Sequence, residues 1–239
     1  MAQNTFERRE KKILLDEALF PEIEERILEY FVPDPHNIDS KPYEICNIYF
    51  DNKCRDVTRH SVSKPFFKEK LRLRSYGTPS LSDNVFFEIK RKMKGIGTKR
   101  RAVLPLSDVY KFLRDGTLPD TESYMNRQVL NEIDYFIKSQ RLEPTVYIGY
   151  MRKAYFGTDD PSLRLTFDRD IVTRHTSLQL EDGRFGDALL PSGKILMETK
   201  FLGGTPLWFA RLMSEYGLTY ESFSKVGREF TSSLQTQKI

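Results

Sequence analysis

The sequence predicts an α+β fold: a closed, eight-stranded antiparallel β-tunnel with helices packed on the outside. Three observations lead there. Strand-like segments outnumber helix-like ones. The two kinds do not follow the regular βαβ order of a parallel sheet. The polar sides of several strands are dominated by Arg and Lys, which a merely solvated face would mix with Thr, Ser and Gln.

The elements follow in chain order. Segment 6–15 reads as a strand, its Arg8, Glu10 and Lys12 on one side and its other side becoming apolar at Ile13. Segment 21–32 reads as a helix, opened by Pro21 and spacing Ile23, Ile27, Leu28 and Phe31 on one face. Strands follow at 43–51, 66–75, 84–92 and 98–105, rich in β-branched and aromatic residues and separated by turn residues at 77–79 and 95–97. Ser107 is a plausible N-cap for a helix at 108–114, and Gly116 its stop. Segment 122–140 gathers Val129, Leu130, Ile133, Phe136 and Ile137 on one helical face. Strands at 145–156, 162–172 and 194–202 are punctuated by turns at 159–161 and 191–193. Helices at 205–216 and 222–230 end the chain.

Composition bounds the class. With 39% hydrophobic and 13% aromatic residues, the 239-residue chain can bury a substantial core, and disorder is excluded. No Gly/Ser/Pro linker or internal repeat divides it, so one domain, 1–239, is the simplest organisation. The net charge of +4 is too mild to imply a nucleic-acid or membrane partner. Cys46 and Cys54 form no zinc pattern with His36, His60 and His175, and read as free thiols of a reducing compartment. The first residues lack the apolar core of a signal peptide, and no run approaches the ~18 apolar residues of a membrane span. A soluble, cytoplasmic protein is expected.

The chemistry lies on the polar sides of the strands. In 67–74 one side holds Lys68, Lys70, Arg72 and Arg74, against Leu71 and Leu73 on the other. In 85–92 one side holds Phe86, Glu88, Lys90 and Lys92. Arg164, Thr166, Asp168 and Asp170 share a side of 163–171, and Glu198 and Lys200 share a side of 194–201. Like charges on neighbouring strands repel, so a face this basic needs an anion. A string of phosphates fits, because Arg offers paired donors and Lys a mobile point charge. If helices cover the apolar faces, the polar faces point inward and the site is a tunnel. The carboxylates on the basic face, Glu10, Glu88 and Glu198, are either ion-pair partners or ligands of Mg²⁺ or Mn²⁺, with Glu198 the best candidate ligand.

One ordered set of motifs carries a resemblance: Arg8-x-Glu10-x-Lys12, Lys70-x-Arg72-x-Arg74, Glu88-x-Lys90, Lys99-x-Arg101, Tyr150-Met151-Arg152, Leu163-Arg164-x-x-x-Asp168, Leu196-Met197-Glu198-x-Lys200 and Phe223-Ser224-Lys225. No single motif is specific, but the series resembles the VTC (vacuolar transporter chaperone) catalytic domain, of the triphosphate tunnel metalloenzymes, over about residues 5–230. The resemblance implies an ATP-dependent polyphosphate polymerase using Mn²⁺ or Mg²⁺. By motif match, Lys12, Arg72, Arg74, Lys90, Lys99, Arg152, Arg164 and Lys225 would contact phosphates and Glu198 would hold the metal. Arg8, Lys70, Arg101 and Lys200 are further phosphate-binding candidates. ATP and polyphosphate are the implied partners, and nucleic acid is not. The SPX domain and membrane helices of the eukaryotic polymerase subunits have no counterpart here, nor does the aromatic that often follows the first-strand lysine, replaced by Ile13. Coupling to export would then need a separate membrane partner.

No Ser/His/Asp or Cys/His arrangement and no Walker-type loop is evident, so a covalent protein intermediate is not expected. Transfer would rest on positioning and charge neutralisation. Two rivals use nearly the same residues: a metal-dependent triphosphatase, in which water replaces the attacking phosphate chain, and a non-enzymatic polyphosphate-binding module. RNA processing lacks an evident base-stacking surface.

Overall fold

The computed structural model describes residues 8–37, 41–94, 96–202 and 204–236. Among these, ten strands form an antiparallel sheet accompanied by six helices. In chain order they are β1 (Arg8–Asp16), α1 (Phe20–Ile27), β2 (Phe31–Pro33), β3 (Tyr43–Asp51), α2 (Asp56–Val62), β4 (Phe67–Tyr76), β5 (Asn84–Met93), β6 (Ile96–Pro105), α3 (Leu106–Asp115) and α4 (Tyr124–Gln140). Then come β7 (Glu143–Gly157), β8 (Arg164–Arg174), β9 (Asp187–Ala188), β10 (Lys194–Leu202), α5 (Leu207–Glu215) and α6 (Lys225–Thr236).

The chain divides into two compact units, each built from three segments. One comprises Met1–Glu44, Tyr150–Ile171 and Ala188–Ser224. The other comprises Ile45–Gly149, Val172–Asp187 and Lys225–Ile239. In the first, the sheet path runs β1-β10-β8-β7, and β2 pairs with β7. Its apolar face carries Ile13, Leu15, Leu165, Phe167, Ile195 and Met197. Phe20, Ile23 and Ile27 of α1 and Phe209, Leu212 and Met213 of α5 pack with them in one cluster. In the second, the path runs β7-β3-β4-β5-β6. Leu71, Leu73, Phe87, Ile89, Ala102 and Leu104 cluster with Val109 and Phe112 of α3 and Val129, Leu130, Ile133 and Phe136 of α4. Each fully buried side chain of this kind contributes about 1.5–3 kcal/mol. Helices therefore cover the apolar side of the sheet in each unit. No ladder joins β1 to β6 among the described residues, so hydrogen bonding does not close the sheet.

The predicted strands all occur, with ends shifted by a few residues. Differences have local causes. The helix expected to reach residue 32 stops at Ile27, because Phe31–Pro33 pairs with β7 instead. Ser107 lies inside α3 rather than capping it, while Gly116 ends the helix at φ +71°, where glycine is unstrained. Ser123 caps α4 by accepting from Asn126 N. Helix α2 has no capping side chain beside it. The carboxylate of Asp51, several residues back, accepts from Val57 N at 3.0 Å and Thr58 N at 2.8 Å. Asp170, at φ +50°, disturbs the alternation of β8 beyond Asp168. The turn expected at 95–97 includes Gly95, which lies outside the described residues.

Charges on the helix-covered side are closed among themselves. Arg91 of β5 bonds Glu69 of β4 (2.6 Å), its register partner, and Glu132 of α4 (2.7 Å), which also pairs with Arg100. Cys46 and Cys54 are free thiols. No helix among the described residues is long and apolar enough to cross a membrane.

Candidate functional site

In the second unit, strand register gathers the basic residues into rows. Arg72 of β4 lies opposite Tyr49 of β3 and Glu88 of β5, and Glu88 lies opposite Arg101 of β6. In the next row, Lys70, Lys90 and Lys99 are successive register partners. Directly paired residues share a face of the sheet. Lys70, Arg72, Arg74, Lys90, Lys99 and Arg101 therefore share the face opposite the helices with one carboxylate, Glu88.

Glu88 is the local counter-ion. Arg72 reaches its Oε2 from Nη2 at 2.6 Å and from Nε at 2.7 Å, and Lys99 Nζ stands 3.4 Å from its Oε1. Burial alone would raise the Glu88 pKa, but Arg72, Arg74 and Lys99 outweigh it and hold the carboxyl at about 2. Lys99 is pushed below the ordinary lysine value by burial, with Arg72, Arg101 and Arg74 adding to the effect against Glu88. Arg74 donates from Nε to Asn47 Oδ1 at 2.7 Å, and Asn47 is fixed by donating to the carbonyl of Ile148. Arg101 packs over the Phe86 ring. Arg72 Nη1 donates to the Tyr49 hydroxyl at 3.4 Å. Burial raises the Tyr49 phenol, yet Arg72, Arg74 and Lys225 bring it below its usual value. The buried Lys225, first residue of α6, thus acts electrostatically on this cluster.

In the first unit, β1, β10 and β8 carry the remaining candidates. Register sets Lys12 opposite Glu198, Glu198 opposite Thr166, Glu10 opposite Lys200, and Lys200 opposite Arg164. Lys12 Nζ lies 3.3 Å from Glu10 and 3.7 Å from Glu198, and it donates to the carbonyl of Phe223 at 2.9 Å. Lys200 stands 4.0 Å from Glu198. Arg152 makes a two-pronged bond to Asp168, at 2.6 and 2.7 Å, with both residues buried. Burial disfavours the Arg152 charge, but Asp168 and, less strongly, Tyr150 and Glu198 hold the guanidinium firmly protonated. Arg164 bonds the buried Asp34 at 3.1 Å and lies over the Phe156 ring. The side chain of Arg8 lies outside the described residues.

The donor set suits a divalent cation at one place. The Lys12 ammonium bridges Glu10 and Glu198, so a positive charge is already favoured between these carboxylates. Two carboxylates completed by phosphate oxygens are a usual way to hold Mg²⁺. Glu88 is different, since Arg72 and Lys99 already engage both its oxygens. Among the described residues no group of three or more His, Cys, Asp or Glu is gathered.

Reading the strands by charge passes over Asn47, Tyr49 and Asp34. The first two are neutral and alternate with apolar residues in the middle of β3, where only their spacing marks them. Asp34 follows β2, and nothing in the sequence ties it to Arg164.

A model of the VTC domain matches residues 7–233. No curated protein matches. Solved structures of similar fold include a proposed adenylate cyclase from Bacillus halodurans, 13% identical, with a TM-score of 0.55, covering 93% of this chain and 96% of that one. Another is a proposed adenylyl cyclase from Hippeastrum described as having a dominant triphosphatase activity. It is 16% identical, with a TM-score of 0.51, covering 92% of this chain and 94% of that one. At these identities the likeness concerns the fold.

Proposed function

Because the chain belongs to the VTC domain family, we propose that it is an ATP-dependent inorganic polyphosphate polymerase of the cytoplasm, its strands forming a closed basic tunnel around the phosphates. The observation that carries this reading is the basic face of β4, β5 and β6. Lys70, Arg72, Arg74, Lys90, Lys99 and Arg101 share that face with Glu88, the one carboxylate that register places there among the described residues of these three strands. Lys12, Arg152, Arg164 and Lys200 of the first unit add to the supply. A terminal phosphate presents only three oxygens, so one triphosphate could hardly engage them all. A longer chain can.

The terminal oxygen of a growing chain attacks the γ-phosphorus of ATP in line, the bridging P–O bond to the β-phosphate breaks, and ADP carries away the electron pair. Arg72, Arg74, Lys90 and Lys99 hold and orient phosphate oxygens and offset their charge, with Lys225 contributing from α6. Lys12, Arg152 and Arg164 serve the same purpose in the first unit. Glu198 and Glu10 are the residues that would hold a divalent cation, Mn²⁺ or Mg²⁺, which when bound neutralises charge on phosphate oxygens.

A triphosphatase is the second reading, favoured by the activity described for the Hippeastrum protein of like fold. The two differ in ligand length. Binding of linear polyphosphates from three phosphates upward, followed by calorimetry, should tighten well beyond three. Affinity that levels off at three phosphates contradicts the polymerase and fits the triphosphatase.

A further inference from the structure

Thr166 of β8 is the direct register partner of Glu198 of β10. It is 1% exposed, and among the described residues its Oγ1 has no hydrogen-bond partner. A buried hydroxyl left unpaired opposes folding, and native proteins keep few such groups. A valine of the same shape would avoid the cost. The position opposite Glu198 suggests why the hydroxyl is kept. The Glu198 carboxylate stands 3.7 Å from Lys12 and 4.0 Å from Lys200. A carboxylate that binds a cation through one oxygen is ordinarily steadied by a hydrogen bond at its other oxygen.

We propose that Thr166 is the positioning residue for Glu198: when the carboxylate turns from the lysines to a divalent cation, the Thr166 hydroxyl donates to its second oxygen and fixes its direction. That bond would give the buried Thr166 hydroxyl its partner. This rests on the reading of Glu198 as a cation ligand, which is tested alongside it.

The test is a titration with Mn²⁺ alone, following the free ion by electron paramagnetic resonance, on the full chain and three variants. Thr166→Val should weaken Mn²⁺ binding about 10- to 100-fold, the range typical of lost outer-shell partners. Thr166→Ser should bind within a few-fold of the parent, because it restores the hydroxyl. Thermal unfolding without metal should leave Thr166→Val at least as stable as the parent, since an unpaired polar group has gone. If Thr166→Val does not fold, Thr166→Ala replaces it with the same expected loss. Glu198→Gln should abolish the binding. Parent-like Mn²⁺ binding by Glu198→Gln overturns Glu198 as the ligand. Lost binding in Glu198→Gln with parent-like binding in Thr166→Val overturns the role of Thr166 alone. Equal loss of affinity in Thr166→Val and Thr166→Ser would make the residue a packing element and also overturn the proposal.

Discussion

Arg152 and Asp168 form a two-pronged ion pair, Nε to Oδ1 at 2.6 Å and Nη2 to Oδ2 at 2.7 Å, with Asp168 fully buried and Arg152 nearly so. A guanidinium proposed to meet phosphate is thus already compensated by a carboxylate. Removing one partner of such a pair strands the other charge, at a cost of about 3–5 kcal/mol. Asp168→Ala should lose that much stability in denaturant unfolding. Polyphosphate should restore part of it if Arg152 can take a phosphate in place of the lost carboxylate. Unfolding of the variant that is indifferent to polyphosphate would make Arg152 structural only.

Glu88 gives the protein an acid-sensitive element. Its carboxyl lies at about 2 in the folded chain against an ordinary 4.5, so folding favours the ionised form. That stability is fully present above about pH 4.5 and is lost as the pH falls toward 2. Glu88→Gln should flatten this acid limb in unfolding measured across that range. It should also be less stable at neutral pH, because Arg72, Arg74 and Lys99 keep their mutual repulsion without the counter-ion. An unchanged acid limb would show that Glu88 is not the group responsible.

The basic face and the helix-covered face of β4 and β5 make different predictions for the same residue type. Arg74→Gln removes a charge-assisted contact worth about 1.5–3 kcal/mol, so polyphosphate affinity should fall roughly tenfold or more. Arg91→Gln removes a guanidinium bound to Glu69 and Glu132 on the opposite side, and affinity should be unchanged. Equal losses in the two variants would mean a diffuse charge effect with no preferred face.

His175 ties α6 to other segments of the second unit. Its Nε2 lies 2.8 Å from Glu229 Oε1, and Arg55 holds the other oxygen at 2.6 Å. The bond to Glu229, against the opposing effect of burial, raises the imidazole pKa, helped by the carbonyl of Thr145 and opposed by Arg55. A raised folded value stabilises below the ordinary 6.5 and is lost as the pH climbs through that raised value. Amide exchange in α6 should therefore accelerate with rising pH beyond its intrinsic dependence, and His175→Gln should remove the excess. Excess acceleration persisting in that variant would assign the switch elsewhere.

Much of this was legible in the sequence because a strand sorts its residues by parity. The Lys70, Arg72 and Arg74 row and the Glu198 and Lys200 pair follow from alternation alone, and register then sets them beside Glu88 and Lys12. What alternation cannot supply is pairing across the chain. Nothing local indicates that Asp34 bonds Arg164, that Asp51 caps α2, or that Arg91, out of place on an apolar face, meets a glutamate of α4. β2 and β9 are invisible to alternation because strands of two or three residues carry no period to read.

The central claim is that ATP's γ-phosphate passes to another phosphate and not to water. Incubating the full chain with γ-labelled ATP, Mn²⁺ and a short unlabelled polyphosphate, then separating products by length, tests it directly. The account predicts ADP formed in step with label that lengthens the polymer. Label released only as orthophosphate, with ADP in equal amount and no polymer growth, would contradict it.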